Sequence, residues 1–409
     1  MKIYNTKIPL KVWTDDIEEG ALEQAKHLTE LPFAFKHIAI MPDTHQGYGM
    51  PIGGVMATKG VIVPNAVGVD IGCGMCAVKT SLTEIDTDTL KKIMGEIRKF
   101  VPVGFNHQKE KQDESLMPQG VAQSGSASDL DSEGRRFESY HPDLKIIEEQ
   151  YESALKQIGT LGGGNHFIEI QKGSDGHIWI MIHSGSRNLG LKIADHYNKL
   201  AIKLNEKWHS GVPKKWELAF LPIDSEEGQA YIREMNYAVE FALANRKLMM
   251  DRIMNIVRYV AGYNKDTDVS FDEMINIAHN YASQENHFGQ NVWVHRKGAT
   301  LAREGIIGII PGSMGTHSYI VRGKGNPDSF ESCSHGAGRL MSRTKARNEL
   351  DLEAEKKLLD DQGIIHGIRS KNDLDEAPSA YKSIDKVMEN QKDLVEVLVE
   401  LTPLAVIKG

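Results

Sequence analysis

Cysteine is the first scarcity. Only Cys73, Cys76 and Cys333 occur in 409 residues, an odd and sparse set that cannot supply a disulfide framework for so long a chain. A reducing, intracellular setting is expected. Long apolar runs are missing as well: nothing approaches the ~18 residues of a membrane span, and the opening Met1 to Pro9 has no apolar core of signal-peptide length. A cytoplasmic protein with no membrane partner is expected. Positive charge is not in excess either, and a formal net charge of -8 argues against a generally basic nucleic-acid coat while permitting a local basic groove. Both common nucleotide cradles are absent: no GxxxxGK[ST] occurs, and no dinucleotide fingerprint sits in a βαβ setting. What remains, 40% apolar and 25% charged residues, is an ordinary globular composition with length enough for a large core.

Chemistry gathers first at Asn65 to Cys76, where Asp70 and Cys73 lie three residues apart between Gly68, Gly72 and Gly74, straight after the apolar run Gly60 to Val63. Glycines allow positive φ and close approach of a ligand, so the segment reads as a tight turn presenting a carboxylate and a thiol into a cleft. Thiolate plus carboxylate suits a transition metal. Upstream, Lys36 to Met41 reads as a buried strand ending in Pro42-Asp43-Thr44-His45, which fits an active-site loop or a capped turn equally well.

Downstream, His166 to Gln171 and His177 to His183 are strand-like runs around the turn Gly173-Ser-Asp-Gly176. A turn centred between Ser174 and Asp175 sets His166 directly across the ladder from His183, with Cβ atoms about 5 Å apart, close enough for one metal ion. Gly162 to Asn165 and Ser184 to Arg187 flank the pair with glycine backbone and an arginine, a phosphate-friendly setting. A further apolar run, Ile275 to Ala278, delivers His279. Asp70, Cys73, His166, His183 and His279 could hold two ions with open positions. Val292 to Lys297 delivers Arg296 and Lys297 to Gly298, either as a phosphate clamp or as a solvated strand end. Ile306 to Ile310 opens into Pro311 to Ser318, a loop of phosphate-cradling composition. His335, in Ser334-His335-Gly336-Ala337-Gly338-Arg339, is expected at a helix start as a candidate nucleophile, with Arg339 and Arg343 one turn apart on the same face.

The remaining elements read as scaffold. Helices are expected over Glu18 to Leu31, behind Asp86 and Asp88 through Leu90, Ile93, Met94, Ile97 and Val101, and from Pro142 to Ile158. Two more are expected from Leu191 to Trp208 and from Ser225 to Ala261, the second long enough to predict a break, with a last one near Ser383 to Asn390. Residues 105–141 turn polar and read as a mobile loop or lid, and the terminal Lys408-Gly409 as a frayed end. The mixture predicts an α+β fold: one large catalytic domain over 1–409, of mixed and antiparallel sheets and hairpins flanked by helices, around a deep metal-lined cleft. The ligand mix is too soft for magnesium alone and points to Mn, Zn, Co or Fe. Metal, arginine and histidine together suit phosphoryl or nucleotidyl transfer, and suit equally a metal-dependent phosphoesterase using bound water. A zinc-structured binding module on Cys73 and Cys76 is a weaker third reading, since no second Cys-x-x-Cys exists.

Eight ordered motifs carry a resemblance. They are Pro42-Asp-x-His-x-Gly-x-Gly, Gly68-Val-Asp-Ile-Gly-Cys-Gly, Gly164-Asn-His-Phe, His183-Ser-Gly-Ser-Arg, His279-Asn, Arg296-Lys-Gly-Ala, Pro311-Gly-Ser-Met-Gly and Ser334-His-Gly-Ala-Gly-Arg. Over nearly the whole chain the sequence resembles the RtcB family of RNA-splicing ligases. That resemblance implies GTP- and Mn(II)-dependent joining of an RNA 3'-phosphate or 2',3'-cyclic phosphate end to a 5'-hydroxyl end, in tRNA splicing or RNA repair. It implies that His335 carries GMP, with Asp43 a supporting acid and Arg339 beside them, and that Asp70, Cys73, His166, His183 and His279 hold two Mn(II) ions with Cys73 bridging. By motif matching, Asn165, Glu169, Ser313, Ser318, Ala337, Gly338, Tyr381 and Lys408 would contact the guanylate, and Arg187, Lys297 and Arg343 the RNA phosphates or triphosphate. RNA and GTP are the implied partners, with an archease-like protein as a candidate activator. Cys76 and His317 depart from the expected pattern, Cys76 bringing a risk of oxidation or adventitious zinc.

Overall fold

Runs of β-branched and apolar residues build two large sheets beside two small two-stranded ones, and the candidate site residues come from both large sheets. In the computed structural model, which describes residues 1–118, 144–262 and 268–409, a six-stranded sheet runs in the order Lys2–Tyr4, Leu10–Val12, Ala34–His45, Ile52–Thr58, Gln290–Lys297, Asn280–His287. A seven-stranded sheet runs Ile275–Ala278, Gly74–Lys79, Ile178–Ser184, Phe167–Gly173, Val395–Lys408, Ser318–Gly323, Ile307–Ile310. Neighbours are antiparallel except Leu10–Val12 beside Ala34–His45, which are parallel. With helices packed around these sheets the architecture is α+β, as expected. His279 sits at the crossing, between the last residue of one strand in the larger sheet and the first of one in the smaller.

Helix Thr87–Phe100 begins where its sequence says it should, since Asp86 accepts the Thr89 N–H at 2.9 Å and Leu90, Ile93, Met94 and Ile97 are buried on one face. That face joins Val78, Ile168, Ile180 and Ile182 of the larger sheet and Met249, Met250 and Ile253 of helix Glu226–Gly262. Each fully buried side chain of this size contributes about 1.5–3 kcal/mol. Helix Glu226–Gly262 runs 37 residues without the expected break. Its sequence has no proline, and it is buried against elements on several sides along its length, so tertiary packing sustains it where length alone argued for interruption.

Three further expectations are corrected. The hairpin forms, but Phe167, not His166, pairs with His183. Gly173 N–H donates to His177 O at 2.8 Å and Asp175 Oδ1 accepts the His177 N–H at 3.2 Å, which lengthens the loop and shifts the register by one. No helix begins at His335: a short strand, Ser332–Ser334, precedes it, and the next helix, Arg343–Glu349, starts behind Ser342, whose Oγ accepts the Lys345 N–H at 3.2 Å. The C-terminus is ordered into the sheet, with Lys408 paired to Phe167. Residues 119–143 lie outside the described residues, and with them most of the stretch 105–141 expected as a loop or lid and the helix restart at Pro142; the helix itself spans Lys145–Gln157. Among the described residues, no helix is long and apolar enough to cross a membrane.

Candidate metal centre and active site

Strand ends deliver the ligands. Cys73 precedes strand Gly74–Lys79, His166 precedes Phe167–Gly173, and His183 lies near the end of Ile178–Ser184, so three neighbouring strands of one sheet converge on a single point. Cys73 Sγ lies 3.3 Å from His183 Nε2 and 3.6 Å from His166 Nε2, and His183 Nε2 lies 3.4 Å from His279 Nε2. Asp70 Oδ2 is 3.1 Å from His166 Nε2. Two triads result, Cys73 with His183 and His279, and Cys73 with Asp70 and His166, the donor atoms of each within 4.8 Å of one another. Cys73 belongs to both. The slipped hairpin register still brings the two imidazoles together, with ring centroids 5.4 Å apart.

The donor set fits divalent metal. His183 Nδ1–H donates to Asn165 O at 3.1 Å, which leaves the Nε2 lone pair aimed at Cys73, the usual outer support of a metal-bound imidazole. Burial, then neighbouring imidazoles, pushes His183 and His279 well below the ordinary histidine range, so both are neutral, the form a metal ion would take. Burial and the Asp70 charge push the Cys73 thiol well above its usual value. A cation is the element that reverses this balance and makes the thiolate. Burial opposes ionisation of Asp70, yet the His166 hydrogen bond and charge and the nearby Arg187 hold it below the usual carboxylate range. Cys76 joins no such group among the described residues; its Sγ lies 3.9 Å from the Arg246 carbonyl, within the core beneath helix Glu226–Gly262, which removes the basis of the zinc-module reading.

His335 lies beside this centre, its ring centroid 4.8 Å from that of His279. Asp43, from the other sheet, is fully buried and fixes it: Oδ2 accepts His335 Nδ1–H at 2.6 Å and the backbone N–H groups of His335 and Gly336 at 3.0 and 3.2 Å. With Nδ1 donating to a carboxylate, Nε2 is left with the free lone pair. Gly338 is at φ +74, and a Cβ there would lie 2.1 Å from the Asp43 carbonyl, so this close approach requires glycine.

Several residues of the expected guanylate set are tied to one another or to shared partners. Gln171 Nε2 donates to Glu169 at 2.7 Å and to Ser318 Oγ at 3.2 Å, and Ser318 Oγ accepts the Gly312 N–H, tying the strand to the Pro311 loop. Ser313 is bonded within that loop to Thr316. Glu169 is pushed up to about 8 by burial, against the opposing charge of Lys408. Lys408 Nζ lies 5.2 Å over the Phe167 ring and 3.8 Å from Glu376. Tyr381 bonds the same Glu376, Arg339 and Arg343 reach it at 3.1 and 3.0 Å, and Ala337 is buried nearby in sequence. The two arginines thus meet on one carboxylate although they share no helix. Arg187 donates to Thr160 Oγ1 and to the Gly104 carbonyl beside Asp70. A cleft of about 700 Å³ is lined by Asp70, His166, Arg187, Arg343, Glu376 and Lys408, among others.

One sequence reading of a cation does not survive. Arg296 is fully buried and bonded through both terminal nitrogens to Glu285, so it clamps no phosphate. Lys297 donates to the carbonyls of Tyr48 and Asn65 at 2.5 and 3.0 Å and braces the loops leading to Asp70. Other residues matter that no motif announced. Glu376 lies in a mixed-charge stretch without pattern. Asn245 and Arg246, in the middle of a scaffold helix, take the backbone of residues 159, 160, 184, 185 and 72 behind the metal ligands. Asn280, already present in the His279-Asn motif, ties the Asp70 turn to Gly298, donating to Asp70 O and accepting N–H groups from Gly72 and Gly298.

Comparison with known proteins identifies the family. The family model described as tRNA-splicing ligase RtcB matches residues 24–409. The chain is 40% identical to RNA-splicing ligase RtcB1 of Escherichia coli ATCC 25922, covering 98% of this chain and 97% of that protein. It is 39% identical to RNA-splicing ligase RtcB of Escherichia coli K12 over the same shares. Against the tRNA-splicing ligase RtcB of Thermococcus kodakarensis it is 33% identical, covering 98% of this chain and 95% of that one. Motifs, ligand geometry and near-complete coverage place this chain in the RtcB family.

Proposed function

We propose that this protein is an RNA ligase that uses GTP and two Mn(II) ions to join an RNA 3'-phosphate or 2',3'-cyclic phosphate end to a 5'-hydroxyl end. The observation that carries this reading is His335, packed against the metal ligand His279 and held through Nδ1 by buried Asp43. A hydrolase could use the same Asp43–His335 pair as a general base for water; the match to ligases over nearly the whole chain is what favours the nucleophile. When bound by Asp70, Cys73, His166, His183 and His279, Mn(II) would neutralise phosphate charge and polarise the phosphorus–oxygen bonds.

The chain's own residues supply the rest. His335 Nε2 attacks the α-phosphorus of GTP, a nitrogen–phosphorus bond forms, and pyrophosphate leaves. Asp43 holds the Nδ1 proton and offsets positive charge on the imidazole. The RNA 3'-phosphate oxygen then attacks the same phosphorus and releases His335, giving an RNA end activated by GMP. A cyclic end must first be opened by water to expose that oxygen. The 5'-hydroxyl attacks the RNA phosphorus, forms the phosphodiester and expels GMP. Glu169, Ser313, Ser318, Asn165, Tyr381 and Lys408, with the backbone at Ala337 and Gly338, would hold the guanylate, while Arg187, Arg339 and Arg343 steady phosphate oxygens. Lys297 acts by shaping the Asp70 loop.

The test is a joining reaction with labelled 3'-phosphate RNA, 5'-hydroxyl RNA, GTP and Mn(II). A joined product that requires GTP and disappears in His335→Ala supports the proposal. Release of inorganic phosphate without joining, unaffected by His335→Ala, would replace it with the phosphoesterase reading.

A further inference from the structure

Around the metal side of the cleft, three apolar side chains stand in solvent. Phe105 is 97% exposed, Val69 50% and Leu191 45%, and all three line the same cleft as Asp70, His166 and Arg187. Single exposed apolar residues are ordinary, but three at one mouth, one of them a fully exposed aromatic ring, mark a binding surface. The ring is carried on a built turn. Gly104 N–H donates to Gly162 O at 2.9 Å and Asn106 N–H to Val103 O at 3.2 Å, while Arg187 Nη2 donates to Gly104 O at 3.3 Å. Arg187 therefore links the turn that presents Phe105 to the neighbourhood of the metal ligand Asp70.

We infer that Phe105, with Val69 and Leu191 beside it, is the platform on which the last base of the 3'-phosphate RNA strand stacks. The inference rests on the ligase reading and extends it to a substrate-positioning surface. A ligand that meets both an anion-holding centre and an apolar ring one residue away is a nucleotide. The terminal monophosphate of a 3'-end carries more charge than any internal phosphate and belongs beside the metal ligands and Arg187, whereas a 5'-hydroxyl end has no phosphate at its terminus. Stacking on an aromatic face takes any base, which suits an enzyme that must accept whatever nucleotide precedes the break.

The experiment uses a short RNA with 2-aminopurine as its last nucleoside and a 3'-phosphate, titrated with the full-length protein and Mn(II) without GTP. Wild type should quench the fluorescence on binding. Phe105→Ala should lose the quench and bind about 5- to 150-fold more weakly, the range that ~1–3 kcal/mol per stacked base corresponds to, and Phe105→Tyr should restore both. An RNA lacking its last base should bind wild type and Phe105→Ala alike. Equal binding and quenching by Phe105→Ala would overturn the inference, as would quenching seen only when the probe occupies the first position of the 5'-hydroxyl strand, or no RNA binding by wild type. Guanylyl labelling from GTP, measured in parallel, separates the two levels. Label on Phe105→Ala equal to wild type shows the active site intact. Absence of label on wild type would defeat the ligase reading while leaving the comparison of RNA binding to decide the platform.

Discussion

Replacing Asp43 by asparagine isolates what its charge does. Its Oδ2 accepts three hydrogen bonds, two from backbone N–H groups and one from His335 Nδ1, and a single amide oxygen at the same place can accept all three. Asp43→Asn should therefore fold, while the ionised acceptor beside the imidazole is gone. Hydrogen bonds to charged groups contribute ~1.5–3 kcal/mol, so guanylylation of His335 should slow by about 10- to 150-fold. Asp43→Ala differs in kind. It strands two buried N–H groups at about 1–3 kcal/mol each, so it should lower the melting temperature as well as the rate. The assay is single-turnover transfer of label from α-labelled GTP in Mn(II), with a thermal melt of each variant. If Asp43→Asn labels as fast as wild type, the carboxylate charge takes no part in the step and the role given to Asp43 is wrong.

Three other outcomes follow from the geometry. Because Cys73 sits in both ligand triads and His279 in one, Cys73→Ser should weaken both metal sites and His279→Ala mainly one; metal titration by native mass spectrometry would show this, and equal losses would contradict a shared thiolate. Burial raises the Glu169 carboxyl from 4.5 to about 8, so the folded state keeps a proton that the unfolded chain releases. The stability this group contributes is full below pH about 4.5 and is lost as pH rises through about 8, so Glu169→Gln should gain on wild type across that window in denaturant melts, and parallel curves would refute it. Asn245→Ala leaves the Gly159 and Thr160 N–H groups without their side-chain acceptor and should cost about 2–6 kcal/mol by the same melts, whereas a loss below ~0.5 kcal/mol would show that the backbone re-pairs.

The sequence revealed the chemistry more fully than the geometry. Asp70, Cys73, His166, His183 and His279 were legible because each lies before or after an apolar strand-like run, and all but His279 lie within two residues of glycine, a pattern set by local chain physics. The pairing of His166 with His183 was one residue out, because the Asp175 side chain makes a longer turn than two-residue hairpin chemistry suggests. Helix Glu226–Gly262 defeated a judgement by length, since packing against several elements does not appear in periodicity. Arg296 shows the opposite failure: a cation at a strand end looked available for phosphate, yet Glu285, on the neighbouring strand of the hairpin and beyond the register partner Tyr281, takes its guanidinium. Glu376 gathers Arg339, Arg343, Tyr381 and Lys408 from distant points of the chain, and only the fold makes it visible.

The most direct measurement is to incubate the protein with α-labelled GTP and Mn(II), denature it, and locate the label by mass spectrometry. The account predicts one GMP on His335, acid-labile as a phosphoramidate and absent from His335→Ala. Label on another residue, or none with both metal sites filled, would contradict it.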